Sequence, residues 1–314
     1  MRHVIGIDVG GTKIKGAVVD GDGRLLYKTE RDTHPELGAD AVIDRIAVLA
    51  RDTAIGAGLT LRDIAGLGIG MPAFLDADTG YVETAVNLGW QNVDLLAELE
   101  QRLGALPIRI DNDANIAALG EARAGGGRGA RDALCVTLGT GVGGGVVIDG
   151  QLVRGASGMG GEIGHITLDP QGRFCNCGRR GCLETISSAT GIVAAAEARL
   201  AAGDLSSLRQ EPALSTRALF DHAAKGDRVA SEVIGYAIDR LGFALANVGA
   251  TLNPAVIVIG GGVSQAGEAL LVPLQQAFER YALPRVSRGT ALRLAELGND
   301  AGVVGAALLF GEGN

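Results

Sequence analysis

Cys175, Cys177 and Cys182 fall within eight residues of one another, and His165 precedes them by ten positions. The spacing His-x9-Cys-x-Cys-x4-Cys offers one imidazole and three thiolates, a tetrahedral donor set of the kind Zn²⁺ takes. Gly178 and Gly181 hinge the knuckle Cys177-Gly178-Arg179-Arg180-Gly181-Cys182. Four protein ligands leave no open position for water, so a metal held here is expected to be structural. Bound through one ring nitrogen, His165 would keep the other to fix a hydroxyl in one orientation. Glu162 and Glu184 flank this set. Carboxylates accept hydroxyl hydrogens strongly, which suits an uncharged polyol. Either glutamate reads equally as a solvated loop residue. Cys135 lies in an apolar segment and reads as core.

Three glycine turns suggest a second chemistry. In Asp8-Val9-Gly10-Gly11-Thr12-Lys13 the glycines follow one strand and precede another. That context excludes both the Walker A loop and the dinucleotide fingerprint, which need a helix there. Backbone N–H groups at Gly10 and Gly11 can face a phosphate, Thr12 and Lys13 add a hydroxyl and a cation, and Asp8 is placed to orient Mg²⁺ through water. An ordinary hairpin turn accounts for the same residues. Leu138-Gly139-Thr140-Gly141 repeats the pattern, and a polyphosphate clamped between two such jaws is the joint expectation. Gly260-Gly261-Gly262 ends an apolar strand and leaves room for a ribose or an adenine; a close strand-to-helix turn is the plainer account.

Asp113 is the candidate general base. Asp111-Asn112-Asp113 ends a strand where a helix begins, so Asn112 or Asp113 is in one reading only a helix cap. In the other, Asp113 receives a hydroxyl proton during phosphoryl transfer, chemistry that otherwise rests on positioning and charge neutralisation. Asn112 beside it has both a donor and an acceptor for sugar hydroxyls.

The elements that must position these residues alternate between strand and helix, giving an α/β class. Strands are expected at Val4–Asp8, Ile14–Asp20, Arg24–Thr29, Ile64–Gly70 and Pro107–Ile110, with helices at Ala39–Ala57, Val93–Leu103 and Ala114–Ala124. A second cycle opens with the hairpin Ala133–Leu138 and Val142–Ile148. Helices at about 189–202, 216–224 and 227–250 follow, then a strand at Ala255–Ile259, a helix after Gly262 and a last helix over roughly 300–310. Two halves that each open with strand, glycine turn and strand predict a duplicated core in two lobes with a cleft between them. The division is expected at 1–113 plus about 300–314 for the smaller lobe and 114–299 for the larger.

Of 314 residues, 47% are hydrophobic and 20% charged, which supports a large core and argues against disorder. The 50 glycines gather at 6–16, 125–129, 139–145, 155–164 and 260–262 rather than in repeats, as expected where backbone approaches something closely. A net charge of −8 and a pI near 5.1 oppose broad nucleic-acid binding, which needs a basic face. Met1 to Asp8 enters a strand pattern at once, and no run of about 20 apolar residues occurs, so neither a leader nor a membrane span is expected and the cytoplasm is the expected location.

Together, Asp8-Val9-Gly10-Gly11-Thr12-Lys13, Asn112-Asp113-Ala114-Asn115, Glu162-Ile163-Gly164-His165 and the cysteine knuckle resemble the ROK family of bacterial sugar kinases and regulators, most of all its ATP-dependent, glucose-phosphorylating members. The resemblance spans the chain in order. It implies the actin-like ATPase fold of the sugar kinase and heat-shock cognate superfamily, with two lobes closing on ATP and sugar. It implies Asp113 as base, Asn112, Glu162, His165 and Glu184 as sugar ligands, and zinc held by His165, Cys175, Cys177 and Cys182. A homodimer or dimer of dimers is implied as well. Val86-Asn87-Leu88-Gly89-Trp90 resembles a loop near the sugar, which makes Asn87 a further candidate. Two departures stand out: Ala73 follows Pro72 where the family commonly has glycine, and Asp111 replaces a common glutamate. Rival expectations are a kinase for mannose, fructose or N-acetylmannosamine, and polyphosphate as donor, for which no long basic surface is evident. A regulator of the same family would carry a helix-turn-helix before the kinase-like part, and a phosphate loop at Asp8 leaves no room for one.

Overall fold

The computed structural model describes residues 3–311; the expectations for Met1, Arg2 and 312–314 lie outside them. In chain order the elements are β1 (His3–Val9), β2 (Lys13–Val19), β3 (Leu25–Asp32), α1 (Ala39–Gly56), β4 (Ile64–Met71), β5 (Phe74–Asp76), β6 (Tyr81–Ala85), β7 (Trp90–Asp94), α2 (Leu95–Leu103), β8 (Ile108–Asn112) and α3 (Asp113–Ala124). They continue with β9 (Ala133–Leu138), β10 (Val142–Ile148), β11 (Gln151–Leu152), α4 (Glu184–Ser187), α5 (Ala189–Ala201), α6 (Thr216–Ala224) and α7 (Arg228–Leu252). The chain closes with β12 (Val256–Gly260), α8 (Glu268–Tyr281), α9 (Pro284–Gly289), β13 (Ala291–Leu294) and α10 (Ala301–Leu308).

Two five-stranded sheets share one topology, β3-β2-β1-β4-β8 and β11-β10-β9-β12-β13. In the first, β1 pairs antiparallel with β2 and parallel with β4, which pairs parallel with β8. In the second, β10 and β11 are antiparallel while β9, β12 and β13 run parallel. The duplicated strand-turn-strand core is therefore present at the level of sheet order. Packing divides the chain into two compact units. One takes the chain up to Arg131, then Gly145–Gly161, then the chain from Glu296 on; the other takes Asp132–Gly144 and Glu162–Ala295. The sequence reading drew its division at 113 and about 300. The packing of α10 on α3 keeps 114–124 with the first unit.

Val4 to Ile7 of β1 are apolar and buried because both faces of its sheet are covered there. On one face Gly16 lies against Thr53 and Leu49 of α1. On the other, Gly6 and Gly68 are register partners beneath α10. A Cβ on Gly6 would stand 1.8 Å from the Val303 carbonyl oxygen, and one on Gly68 1.8 Å from that of Ala306. Across the helix pair, a Cβ on Gly305 would stand 1.6 Å from the Ile116 carbonyl oxygen. The core of the first unit is otherwise aliphatic, with Ile5, Ile7, Ile14, Leu49, Leu67 and Ile69 fully buried.

The helix expected from Val93 begins at Leu95. Asp94 caps it, accepting from the Ala97 amide at 3.1 Å, while residues 90–94 pair with β6. The three-stranded sheet β5-β6-β7 and the four-residue β13 were not anticipated, being too short to show a period. The helix expected directly after Gly262 starts at Glu268, following a 3-10 turn at Gly262–Ala266. Among the described residues no helix is long and apolar enough to cross a membrane. Because backbone, not a flexible side chain, fills the space beside them, Gly68→Ala and Gly305→Ala are each expected to cost about 1–3 kcal/mol. Urea midpoints measure this, with Gly139→Ala, which meets open space, as the control.

Candidate functional site

In the first unit, Asp8 ends β1 on the same face as Lys15, its antiparallel partner. A Cβ on Gly302 would stand 2.7 Å from the Asp8 carboxyl carbon, so α10 can start beside this carboxylate only as glycine. Burial pushes the Asp8 pKa up; Lys15 opposes this, and the charge of Asp113 adds to it. The turn that follows is closed from within, the Gly10 amide donating to the Lys13 carbonyl at 2.9 Å. Thr33, just past the end of β3, clamps it, its amide donating to the Thr12 carbonyl at 2.8 Å and its hydroxyl to the Gly10 carbonyl at 2.6 Å. Thr33 is fully buried and lies outside any motif, so sequence reading had no signal for it. Lys13 is exposed and paired with Glu30, whose carboxylate raises the Lys13 pKa. Thr12 is exposed. Asn87 sits against the turn, its Cβ 3.5 Å from the position a Cβ on Gly11 would occupy.

β8 delivers Asn112 and Asp113 to the start of α3, one strand away from β4 and two from β1. Asn112 is the helix cap: its side-chain oxygen accepts from the Ala114 amide at 2.8 Å, and its Nδ2 donates to the Ala73 carbonyl at 3.3 Å. Asp113 also accepts from Ala114, at 2.9 Å, but the cap does not depend on it. Its pKa is raised by burial, partly offset by backbone hydrogen bonds. A carboxylate held back from ionisation, beside a polar amide at a strand's carboxyl end, is suited to taking a proton.

In the second unit the turn after β9 is tied to the helices that follow. The Gly139 carbonyl accepts from the Ala189 amide at 2.8 Å and that of Thr140 from the Thr190 hydroxyl at 2.6 Å. Glu184 accepts from the Val142 amide at 3.1 Å, and a Cβ on Gly141 would collide with that carboxylate at 2.4 Å. Gly261, at φ 85°, abuts the same turn, a Cβ there standing 2.4 Å from the Leu138 carbonyl oxygen. Two of the three glycine turns thus lie together. A Cβ on Gly139 or Gly262 would meet open space, so packing does not require glycine at either. A Cβ on Gly260 would press on Ala295 at 3.1 Å.

His165, Cys175, Cys177 and Cys182 converge, their donor atoms all within 4.8 Å of one another. His165 turns Nδ1 to Cys175 Sγ at 3.6 Å and Nε2 to Glu162 at 3.8 Å. Cys177 and Cys182 sulfurs are 3.6 Å apart, close to the ~3.8 Å that two thiolates about 2.3 Å from a tetrahedral zinc would span. Hydrogen bonds from Arg179 bring the Cys177 thiol down to about 6, while burial pushes Cys175 up to about 12. Glu184 reaches this cluster too, 3.4 Å from Cys175 Sγ. Cys135 is buried in β9, away from it in the chain. The first unit thus carries Asp8, Asn87, Asn112 and Asp113, and the second carries Glu162, His165, Glu184 and the two remaining turns.

The model of the ROK family matches residues 4–312. A glucokinase of Halalkalibacterium halodurans is 46% identical over 97% of this chain and 93% of its own length. Among solved structures, a ROK hexokinase from Thermus thermophilus aligns with a TM-score of 0.82 at 35% identity, covering 98% of this chain and 97% of its own. A ROK glucokinase from Streptomyces griseus, in complex with glucose and AMPPNP, gives a TM-score of 0.75 at 36% identity over 98% of both chains. Two-lobed, actin-like architecture follows from these alignments.

The raised pKa of Asp113 has a thermodynamic consequence. The folded chain binds this proton more tightly than the unfolded chain, so the group's contribution to stability is lost as pH rises through the folded pKa. Asp113→Asn removes the charge and keeps the acceptor for Ala114. Its melting temperature is expected to exceed that of the wild type at neutral pH, with the gap closing below about pH 4; a lower value at neutral pH contradicts the assignment.

Proposed function

Because this chain belongs to the ROK family, we infer that it transfers the γ-phosphate of ATP to glucose, at the 6-hydroxyl. The single observation that carries the mechanism is the Asp113 carboxylate, half-buried at the first residue of α3 just after β8 and not needed by the helix cap that Asn112 supplies. In this reading Asp113 accepts the proton of the 6-hydroxyl as its oxygen attacks the γ-phosphorus, and ADP leaves from the opposite side. Asn112 holds a neighbouring sugar hydroxyl. Glu162, Glu184 and the outward nitrogen of His165 receive and orient others, with Asn87 reaching the same substrate from beside Gly11. The turns at Gly10-Gly11, Gly139–Gly141 and Gly260–Gly262 hold the nucleotide through backbone groups, and Thr12 and Lys13 add a hydroxyl and a charge. Mg²⁺ bound with ATP would supply charge neutralisation of the phosphates, and Asp8 is the residue that would hold it.

We assign His165, Cys175, Cys177 and Cys182 to a structural zinc. With Nδ1 committed to the metal, Nε2 of His165 faces Glu162 and keeps a fixed direction for a hydroxyl. Zinc analysis of purified protein should return about one equivalent. Chelation, or Cys177→Ser, should lower the melting temperature and expose the second unit to protease; metal-free protein of unchanged stability contradicts the assignment.

ADP release from ATP and Mg²⁺ against glucose, mannose, fructose, N-acetylmannosamine and no sugar tests the substrate. Release with glucose above all others is expected; preference for another sugar would replace the substrate and keep the mechanism. Asp113→Asn should fold, bind glucose and lose about 10²–10⁴ in kcat. The acid limb of the kcat profile should lie above the ordinary aspartate range, since burial raises this carboxyl. A limb at or below that range would remove Asp113 from the role.

A further inference from the structure

Asp111 stands outside the chemistry above, yet its side chain is 2% exposed. Its carboxylate is almost fully subscribed. Oδ1 accepts from the Asn112 amide and from Asn115 Nδ2, both at 2.8 Å, and Oδ2 accepts from Arg154 Nε at 2.6 Å. Arg154 lies 43 residues further on, just after β11. Its own carbonyl accepts from the Gly160 amide at 2.8 Å, closing residues 154–160 into a loop. That loop is built to one shape. Gly155 and Gly158 take positive φ, and a Cβ on Gly160 would stand 2.3 Å from the Val153 carbonyl oxygen. The chain leaves it through Gly161 directly into Glu162.

Asp111 therefore does two things at once. Toward β8 and α3 it fixes the Asn112 amide and, through Asn115, the first turn of the helix that begins with Asp113. Away from them it anchors the base of the 154–160 loop. A planar guanidinium donating through Nε fixes direction as well as distance, which an ammonium on a flexible stem does not. We propose that the Asp111–Arg154 pair is a positioning device for phosphoryl transfer, holding the Asn112-Asp113 turn and the 154–160 loop as one rigid piece. Its kinetic side rests on Asp113 being the base; its structural side does not. A plainer role, in which Arg154 only neutralises a buried carboxylate, would let stability change while turnover per folded molecule stayed constant.

The test compares wild type, Arg154→Met and Arg154→Lys by hydrogen exchange and steady-state kinetics. Arg154→Met should speed exchange in both 108–118 and 153–161. It should also lower kcat at saturating substrates by about tenfold or more, with the KM for ATP moving less than about twofold. Arg154→Lys should recover part of kcat. Faster exchange confined to 153–161, or a lowered melting temperature with unchanged kcat, overturns the proposal. If Arg154→Met does not fold, Arg154→Lys carries the same two readouts. If the wild type does not phosphorylate glucose, it is the functional reading that fails, and the exchange pattern alone decides the pair.

Discussion

The first unit depends on backbone touching backbone. α10 touches β1 and β4 backbone to backbone at Gly6 and Gly68, which leave the space that the Val303 and Ala306 carbonyls fill. The same helix crosses α3 at Gly305, against Ile116. At its start Gly302 makes room for the Asp8 carboxyl. One helix thus meets the strand that ends in Asp8 and the helix that begins with Asp113, close enough for the two charges to influence each other. Burial raises both carboxyls; Lys15 offsets part of this for Asp8, whereas Asp113 has only backbone hydrogen bonds against it. Both aspartates, one near the end of β1 and one just after β8 with β4 between them, are pushed the same way by burial, and only Asp8 has a nearby cation opposing it.

The second unit is organised by shared ties. Glu184 holds the Val142 amide with one oxygen and lies against Cys175 with the other. The cysteine cluster and the turn after β9 are thereby joined through a single side chain, and Gly261 packs on the start of that turn. A metal at the cluster would act on the turn through this tie. Glu184, a proposed sugar ligand, thus also ties two parts of its own unit together.

Much of this was legible in the sequence. The cysteine spacing, the two strand-turn-strand openings and the Asp111-Asn112-Asp113 strand end follow from residue types at fixed intervals, and the repeated sheet order matches the repeated pattern. What sequence did not show depends on cross-chain partners. Proximity to a glycine turn points Lys13 at a phosphate, yet its ammonium pairs with Glu30 on the adjacent strand, diagonally from its register partner Asp32. Thr33 closes the Gly10-Gly11 turn from a position with no motif. Asn87 was carried by analogy and stands beside Gly11 because β6 and β7 form a hairpin too short for a periodic signal. Val93 and Asp94 go to strand pairing because Asp94 caps a helix that begins at Leu95, two residues later than apolar spacing alone suggests. Arg154 gave no sign at all, being one arginine in a glycine-rich loop until Asp111 is found buried beneath it.

The central claim is proton removal by Asp113 during transfer of the γ-phosphate to the 6-hydroxyl of glucose. Phosphorus NMR of a reaction holding ATP, Mg²⁺ and glucose, run in parallel with wild type and Asp113→Asn, tests it most directly. Expected are stoichiometric loss of the γ-phosphate resonance, growth of a phosphate monoester coupled to the C6 protons, no free phosphate, and a near-silent variant that still binds glucose. Phosphate released to water, a monoester at another carbon, or a variant as fast as the wild type would contradict it.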